Sequence, residues 1–138
     1  MFEPLTVFLP KLQGDAAYGE WIIDRTNDGT PEHPIQLPFV NYGRTVTDLV
    51  HAIYQFIDSH KEMELNHYRD ILAASNIEWN SESMKKADVS ALDGKTVMAM
   101  LIGAVRAERF CDGALLGFCE DGSIAKWLQR LKEIDDAS

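Results

Sequence analysis

Residues that could hold an anion or move a proton follow directly on the most apolar stretch of the chain. The nine residues from Val97 to Val105 carry no charged or hydrogen-bonding side chain. The next seven residues include Arg106, Glu108, Arg109 and Asp112. A carboxylate flanked by guanidinium groups can act as a general base while the cations hold an anionic substrate. The sequence therefore directs the search for function to this charged segment.

Glu108 is the least expected member of the charged segment. Arg106 and Arg109 suit the end of a helix, where a cation contributes roughly 0.3–1 kcal/mol through the macrodipole and a carboxylate is unfavourable. Arg109 can also pair with Asp112, three residues further on. No cation lies three or four residues from Glu108. A partly buried Glu108 therefore needs a partner from elsewhere in the chain, because an unpaired buried carboxylate is costly.

Candidate partners for Glu108 lie near residues 18–42. They are Arg25, Arg44 and the indole and phenol groups of that segment. Two interpretations follow, namely a buried salt-bridge network that joins this segment to the core and a polar pocket that binds a small ligand. The aromatic side chains are compatible with both interpretations, because they can line a groove but more often pack in the hydrophobic core. The second interpretation predicts these ligand-binding residues: Trp21, Tyr42, Trp79, Arg106, Glu108, Arg109 and Asp112.

Two acid–histidine pairs have the spacing found in carboxylate-bridged metal sites of helical bundles. They are Asp48-x-x-His51 and Glu64-x-x-His67. On a helix whose Leu49 faces inward, Asp48 points nearly opposite and His51 well to the side. His67 likewise lies off the apolar face of its own segment. We therefore expect no metal site.

Nucleophilic and cofactor chemistry have weaker signals. Cys111 and Cys119 are the only cysteines, and they lie too far apart to bridge along one straight helix. We expect both to be buried, reduced thiols. The sequence contains neither a Gly-x-Ser-x-Gly elbow nor a glycine-rich phosphate loop after a strand. We expect no cofactor.

The elements that position the charged segment begin with a central helix, predicted over residues 91–110 and capped by Ser90. Its apolar positions cover the whole circumference, which is typical of a helix buried on every side. Gly103 in its middle costs about 1 kcal/mol of helix propensity. A close crossing with another element would explain that glycine.

Apolar residues at helical spacing predict two flanking helices. One covers residues 45–58, with Thr45 and Asp48 as a capping box. The other covers residues 123–135 and is capped by Ser123. Shorter helices are predicted over residues 2–12, around 68–72, over 81–87 and over 114–119.

Two residues limit the shorter helices. Pro10 is expected to end the first of them early, because proline disrupts a helix interior. Asn76 fits the left-handed position after the helix around residues 68–72, and Ile77 can then pack back on Leu72.

Residues 18–42 have the composition of extended chain. Asn27-Asp28-Gly29 is a turn signal, and the alternation of Ile35, Leu37 and Phe39 favours a strand. Three prolines in the segment exclude a central strand of a sheet. We expect an irregular β-hairpin or an extended flap.

The fold class predicted from these patterns is mainly α. We expect a single-domain helical bundle spanning residues 1–138 around a buried central helix (91–110). A small irregular β-hairpin or extended flap (18–42) covers one end of it.

Composition narrows the classes of partner. The chain has 138 residues, 22 of them acidic and 13 basic, for a net charge of -9. Such a surface repels phosphate backbones and anionic lipid, so we expect neither direct nucleic-acid binding nor membrane binding. The first residues lack the pattern of a signal peptide, and the apolar run is too short to span a bilayer. A cytoplasmic protein is expected.

Five segments carry a resemblance to a known family. The chain resembles a family of small bacterial proteins known only as a domain of unknown function, over nearly its whole length. That resemblance implies a shared fold and brings no activity, cofactor or site residue. The segments are Trp21-Ile-Ile-Asp, Asn27-Asp-Gly-Thr-Pro-Glu-His-Pro-Ile-Gln-Leu-Pro, Ile77-Glu-Trp-Asn-Ser-Glu-Ser, Val105-Arg-Ala-Glu-Arg-Phe-Cys-Asp-Gly-Ala-Leu-Leu and Trp127-Leu-Gln-Arg-Leu-Lys-Glu-Ile-Asp.

Three functional hypotheses follow from the sequence. The first is a non-catalytic binding or regulatory module whose small-molecule ligand or protein partner meets a polar pocket near Arg106–Asp112. The second is a small hydrolase or transferase in which Glu108 is the general base and Arg106 or Arg109 holds an anion. The third is an acidic decoy that blocks a basic partner protein. Oligomeric state has no signal in the sequence.

Overall fold

The computed structural model describes residues 1–14, 18–23, 29–31 and 38–137. It confirms a mainly α fold with a small two-stranded antiparallel sheet. Three short 3-10 turns, Lys61–Met63, Leu65–His67 and Val89–Ala91, lie between the helices. The elements are α1 (Glu3–Thr6), α2 (Leu9–Gly14), β1 (Gly19–Ile22), β2 (Phe39–Tyr42), α3 (Arg44–Ser59), α4 (Tyr68–Ala74), α5 (Ser81–Lys86), α6 (Gly94–Ala107), α7 (Ala114–Glu120) and α8 (Ser123–Ala137).

Helix α6 is the predicted central helix, and it is shorter than expected at both ends. Every residue from Thr96 to Val105 is buried. The side chain of Asp93 accepts a hydrogen bond of 2.9 Å from the Thr96 amide and caps the helix. The prediction of Ser90 as the cap was wrong, because Ser90 lies in a 3-10 turn and bonds to Asp88 instead.

Helices α3, α4, α7 and α8 pack around α6 and bury their apolar faces against it. Helix α3 begins at Arg44, so the capping box predicted at Thr45 was wrong. The extended Gly43 occupies the cap position directly after β2, and the helix therefore starts before Thr45. Helix α8 begins at Ser123, whose amide donates to the side chain of Asp121 at 2.9 Å. Asp121 thus supplies the side-chain oxygen expected of Ser123.

Two sequence features act at the ends of the shorter helices. The predicted first helix is divided into α1 and α2, and Pro10 lies in the first turn of α2, where a missing N–H costs little. Asn76 has a positive φ of 59° after α4. The Ile77 amide then donates to the Leu72 carbonyl at 2.9 Å, as expected for this type of helix end.

Strands β1 and β2 pair antiparallel, with Gly19 opposite Tyr42 and Trp21 opposite Val40. These four residues lie on one face of the hairpin, since directly opposed residues point the same way and side chains alternate along each strand. Part of the predicted turn at 27–29 and the alternating residues Ile35 and Leu37 lie outside the described residues. In the ranges that are described, no helix combines the length and apolar character needed to cross a bilayer.

Candidate functional site

Glu108 follows the last residue of α6 and is held by three hydrogen bonds. Its Oε1 accepts from the Tyr42 hydroxyl at 2.6 Å and from the Leu115 amide at 3.0 Å. Its Oε2 accepts from the Gly113 amide at 3.0 Å. Two of the donors are backbone groups at the start of α7, so the carboxylate satisfies amides that the helix itself leaves unpaired. Glu108 therefore links α6, α7 and β2.

The Tyr42 hydroxyl completes this network as an acceptor. It receives a hydrogen bond of 2.9 Å from the Leu116 amide while it donates to Glu108. Burial, followed by the hydrogen bond to the Glu108 carboxylate, raises the pKa of Tyr42 far above its ordinary value. The phenol therefore remains a neutral donor across the physiological pH range. We refer to Glu108, Tyr42 and the three amides as the Glu108 network.

The remote partner predicted for Glu108 is thus a phenol of the 18–42 segment. Arg44, another candidate, is 94% exposed and pairs with Asp48 at 3.7 Å. Arg25 lies outside the described residues. The hairpin is joined to the core by polar contacts, but among the described residues no salt bridge forms between them, because a neutral phenol and backbone amides hold the Glu108 carboxylate.

Trp21 makes a second contact between the hairpin and the segment after α6. Its indole edge lies so close to Gly113 that an added Cβ there would overlap the ring. Gly113 also has a positive φ of 89°, which glycine adopts without strain. Two independent reasons thus require glycine at this position. Trp21 and Tyr42 share one face of the hairpin, and both contact the residues 108–113, which we call the exit turn.

The remaining charged residues of the predicted site do not converge on Glu108. The Arg106 guanidinium lies 5.6 Å from the centre of the Tyr54 ring, and its buried Nε has no hydrogen-bond partner among the described residues. Arg109 and Asp112 are exposed. Within the described part of the chain, neither takes part in an ion pair, so the expected Arg109–Asp112 pair is not formed.

Grooves lie on two sides of the exit turn. The smaller one has a volume of about 330 Å³ and includes Tyr42, Glu108 and Arg109, with mostly apolar side chains from α3 beside them. The larger one has a volume of about 510 Å³ and contains Trp79. We call them the Glu108 groove and the Trp79 groove. Of the predicted site residues, Tyr42, Glu108 and Arg109 thus line one groove and Trp79 lines the other, whereas the remaining three, Trp21, Arg106 and Asp112, line neither.

The Trp79 groove is built largely on aromatic side chains. The Trp79 indole donates a hydrogen bond of 2.9 Å to the Gly103 carbonyl. A Cβ at Gly103 would lie 3.1 Å from Cδ1 of that indole, so this glycine permits the close contact. The Phe110 ring meets Trp79 edge to face at a centroid distance of 5.8 Å. Phe110 itself is 76% exposed.

The rest of the Trp79 groove comes from α5, α7 and the exit turn. A Cβ added to Gly117 would meet nothing within 4 Å, so this glycine leaves open space over α7. Two cations border the groove. Arg69 lies over the Trp79 ring at 4.0 Å, and Lys85 lies over the Phe118 ring at 5.2 Å. Among the described residues, the lining consists of Arg69, Trp79, Asn80, Ser81, Met84, Lys85, Ala107, Phe110, Cys111, Gly113, Ala114, Gly117 and Phe118.

The sequence interpretation missed Phe110, Gly117 and Arg69 as residues of this groove. Phe110 stands among charged residues after a buried helix, and its isolation there was the available signal. Gly117 lies inside a short apolar helix, where glycine costs about 1 kcal/mol of helix propensity without a visible reason. Arg69 offered no signal, because its position over Trp79 depends on how α4 packs.

The two thiols differ in environment. Cys111 is exposed and lines the Trp79 groove, so the expectation that it is buried was wrong. Cys119 is buried, and that burial, together with the nearby Asp121 charge, raises the pKa of its thiol to about 12.

Among the described residues, no three histidine, cysteine or acidic side chains lie close enough together to hold a metal ion. His67 lies 3.8 Å from Asp70, and both side chains are largely exposed.

Comparison with known proteins gives a family and no activity. No curated protein and no solved structure matches the chain. The model of one family, described as a family of unknown function (DUF6508), matches residues 2–137. Because this match covers nearly the whole chain, the protein belongs to DUF6508, a family of unknown function.

Proposed function

We propose that this protein is a non-catalytic cytosolic binding module that takes a small apolar molecule in the Trp79 groove. One observation carries the proposal, namely a preformed apolar groove of about 510 Å³ beside the exit turn. Ligand sites in proteins are usually concave, largely apolar and about 300–1,000 Å³ in volume. The groove satisfies all three criteria.

The groove does not have to be created by a ligand. Trp79 is fixed by its hydrogen bond to Gly103 and by its edge-to-face contact with Tyr68 at a centroid distance of 5.6 Å. The exit turn that presents Phe110 is fixed from behind by the Glu108 network. A rigid site loses little conformational entropy on binding, which favours affinity for a small molecule.

The geometry of Glu108 favours binding over catalysis. A general base needs a free lone pair within reach of the proton that it removes. Protein donors already occupy three of the roughly four acceptor sites of the Glu108 carboxylate, one of them at 2.6 Å, so only one is left for a substrate proton. Removing that carboxylate from its donors would also unpair two amides at the start of α7. Glu108 thus supports a structural role better than the enzymatic alternative.

The decisive test introduces a larger side chain into the Trp79 groove. Gly117→Leu places an isobutyl group in the open space over α7, and the neutral fluorescent probe N-phenyl-1-naphthylamine reports binding through its emission. We expect saturable binding to the native protein and at least about tenfold weaker binding to Gly117→Leu, since each 1.4 kcal/mol of lost affinity is a factor of about ten. Ala74→Leu adds a similar side chain at an exposed helical position outside this groove, and binding should not change.

A second measurement tests whether the probe binds in the Trp79 groove without substituting Gly117. Cys111 is exposed in the groove and Cys119 is buried, so iodoacetamide should modify Cys111 selectively in the folded protein. Bound probe should slow that reaction. Undiminished probe binding by Gly117→Leu, or an absence of saturable binding by the native protein, would overturn the proposal.

A further inference from the structure

We infer that the occupant of the Trp79 groove is an apolar anion, an aromatic or aliphatic carboxylate whose charged end binds Arg69. This inference rests on the proposed function, because it names the chemical class of the molecule held in that groove. It follows from the charges of the lining, from the partners that they already have and from the orientation of Arg69.

The lining of the groove is positive on a strongly acidic protein. Among the described residues that line the groove, the charged ones are Arg69 and Lys85, and none carries a carboxylate. The whole protein carries a net charge of -9. A groove in which only cations border an apolar floor attracts an anion and disfavours a cationic ligand.

The two cations differ in availability. Lys85 makes an ion pair of 2.6 Å with Asp121, so its charge already has a partner. Arg69 is exposed and forms no ion pair with any residue that the structure describes. The charge left for a ligand in this groove is therefore that of Arg69.

Arg69 is also placed to bind a carboxylate next to an apolar group. Its guanidinium lies over the Trp79 ring at 4.0 Å. A stacked guanidinium keeps the N–H groups of its edge free, and that planar edge matches a carboxylate with two parallel hydrogen bonds. The apolar body of the ligand would contact Trp79, Phe110 and the open space over Gly117. One small molecule can thus contact the apolar residues of the groove with its hydrocarbon part and bind Arg69 with its carboxylate.

The test compares ligands that share a naphthalene ring and differ in the charge of the polar group attached to it. 2-Naphthoate, the neutral 2-naphthamide and the cationic 2-naphthylmethylamine compete against N-phenyl-1-naphthylamine at neutral pH. We expect 2-naphthoate to bind the native protein about tenfold more tightly than the amide, because charge-assisted hydrogen bonds are about twice as strong as neutral ones. The amine should bind most weakly of the three.

Arg69→Gln should abolish the preference for the carboxylate while binding of 2-naphthamide changes less than about twofold. Arg69→Lys should keep part of the preference, since it keeps the charge and loses the planar fork. Lys132→Gln removes a positive charge from an exposed position on α8 outside the groove and should leave the preference intact.

The outcomes separate this inference from the proposed function. Equal affinity for the carboxylate and the amide, a preference that survives Arg69→Gln, or tighter binding of the amine would overturn the inference and leave an apolar binding site. Failure of all three compounds to displace a bound probe would overturn the inference alone, whereas failure of the probe itself to bind would overturn both.

Discussion

The Tyr42 hydroxyl and the Glu108 carboxylate lie 2.6 Å apart although 66 residues separate them in sequence. The same hydroxyl accepts the Leu116 amide. One phenol thus connects the hairpin to the end of α6 and to the start of α7. The carboxylate that looked most suited to chemistry in the sequence is part of the structural connection between three elements.

Tyr42→Phe should destabilise the protein by about 1–3 kcal/mol. The substitution removes a donor to Glu108 and leaves the Leu116 amide without its partner, and a buried polar group left unpaired costs this much. Urea denaturation monitored by circular dichroism measures the change. Tyr18→Phe is the matched control, because the Tyr18 hydroxyl donates a single longer bond of 3.3 Å to the Leu12 carbonyl. An equal loss in the two variants would show that the Glu108 network has no special role.

The stability contributed by Tyr42 should disappear at alkaline pH. Burial and the Glu108 hydrogen bond hold the pKa of Tyr42 above its unfolded value of about 10. The folded state therefore keeps a proton that the unfolded state loses, so this contribution is fully present below about pH 10 and falls above it. The difference in unfolding free energy between the native protein and Tyr42→Phe should decrease by up to about 1.4 kcal/mol per pH unit there. Urea titrations between about pH 8 and about pH 11 test this, and a constant difference would contradict it.

Asp93→Ala should cost about 0.5–2 kcal/mol, the usual range for loss of an N-cap side chain. Asp93 bonds to the Thr96 amide at 2.9 Å at the start of the buried helix. Ser90→Ala should have a smaller effect, since Ser90 bonds only to the exposed side chain of Asp88. Thermal denaturation of the two variants distinguishes the observed cap from the one that the sequence suggested. A larger loss for Ser90→Ala would place the cap at Ser90 after all.

Alanine should have opposite effects at two helical glycines. At Gly94 a Cβ would overlap the Phe2 ring, which is buried and stacked on Phe56, so Gly94→Ala should destabilise the protein by about 1–3 kcal/mol. At Gly117 a Cβ meets open space, and Gly117→Ala should stabilise the protein by up to about 1 kcal/mol through helix propensity. Calorimetric melting temperatures measure both changes. A melting temperature lowered by Gly117→Ala would mean that the space over α7 is not open in solution.

Patterns that extend over many residues allowed the fold to be predicted. The run from Val97 to Val105 is apolar on every side, and it is indeed buried throughout. Helix starts were less certain because they depend on single residues. Ser90 and Asp93 are both good cap residues, and the structure uses Ser90 in a 3-10 turn because Asp88 binds it locally. The local sequence does not distinguish these alternatives.

The candidate site was predicted in part. A phenol from residues 18–42 was among the partners expected for Glu108, but the choice between Tyr42 and Arg44 depends on where β2 ends and α3 begins. The Trp79 groove was not predicted, apart from Trp79 itself. It depends on the positions of Phe110 and Arg69, which belong to elements brought together only by packing around α6.

The attachment of the hairpin also sets an order of assembly. A two-stranded hairpin is marginally stable alone, and this one is attached through Trp21 at Gly113 and through Tyr42 at Glu108. Both attachment points are synthesised after the strands that need them. The strands can therefore make all of these contacts only once residues 108–116 have been synthesised, and the Trp21 indole then covers Gly113 at the wall of the Trp79 groove.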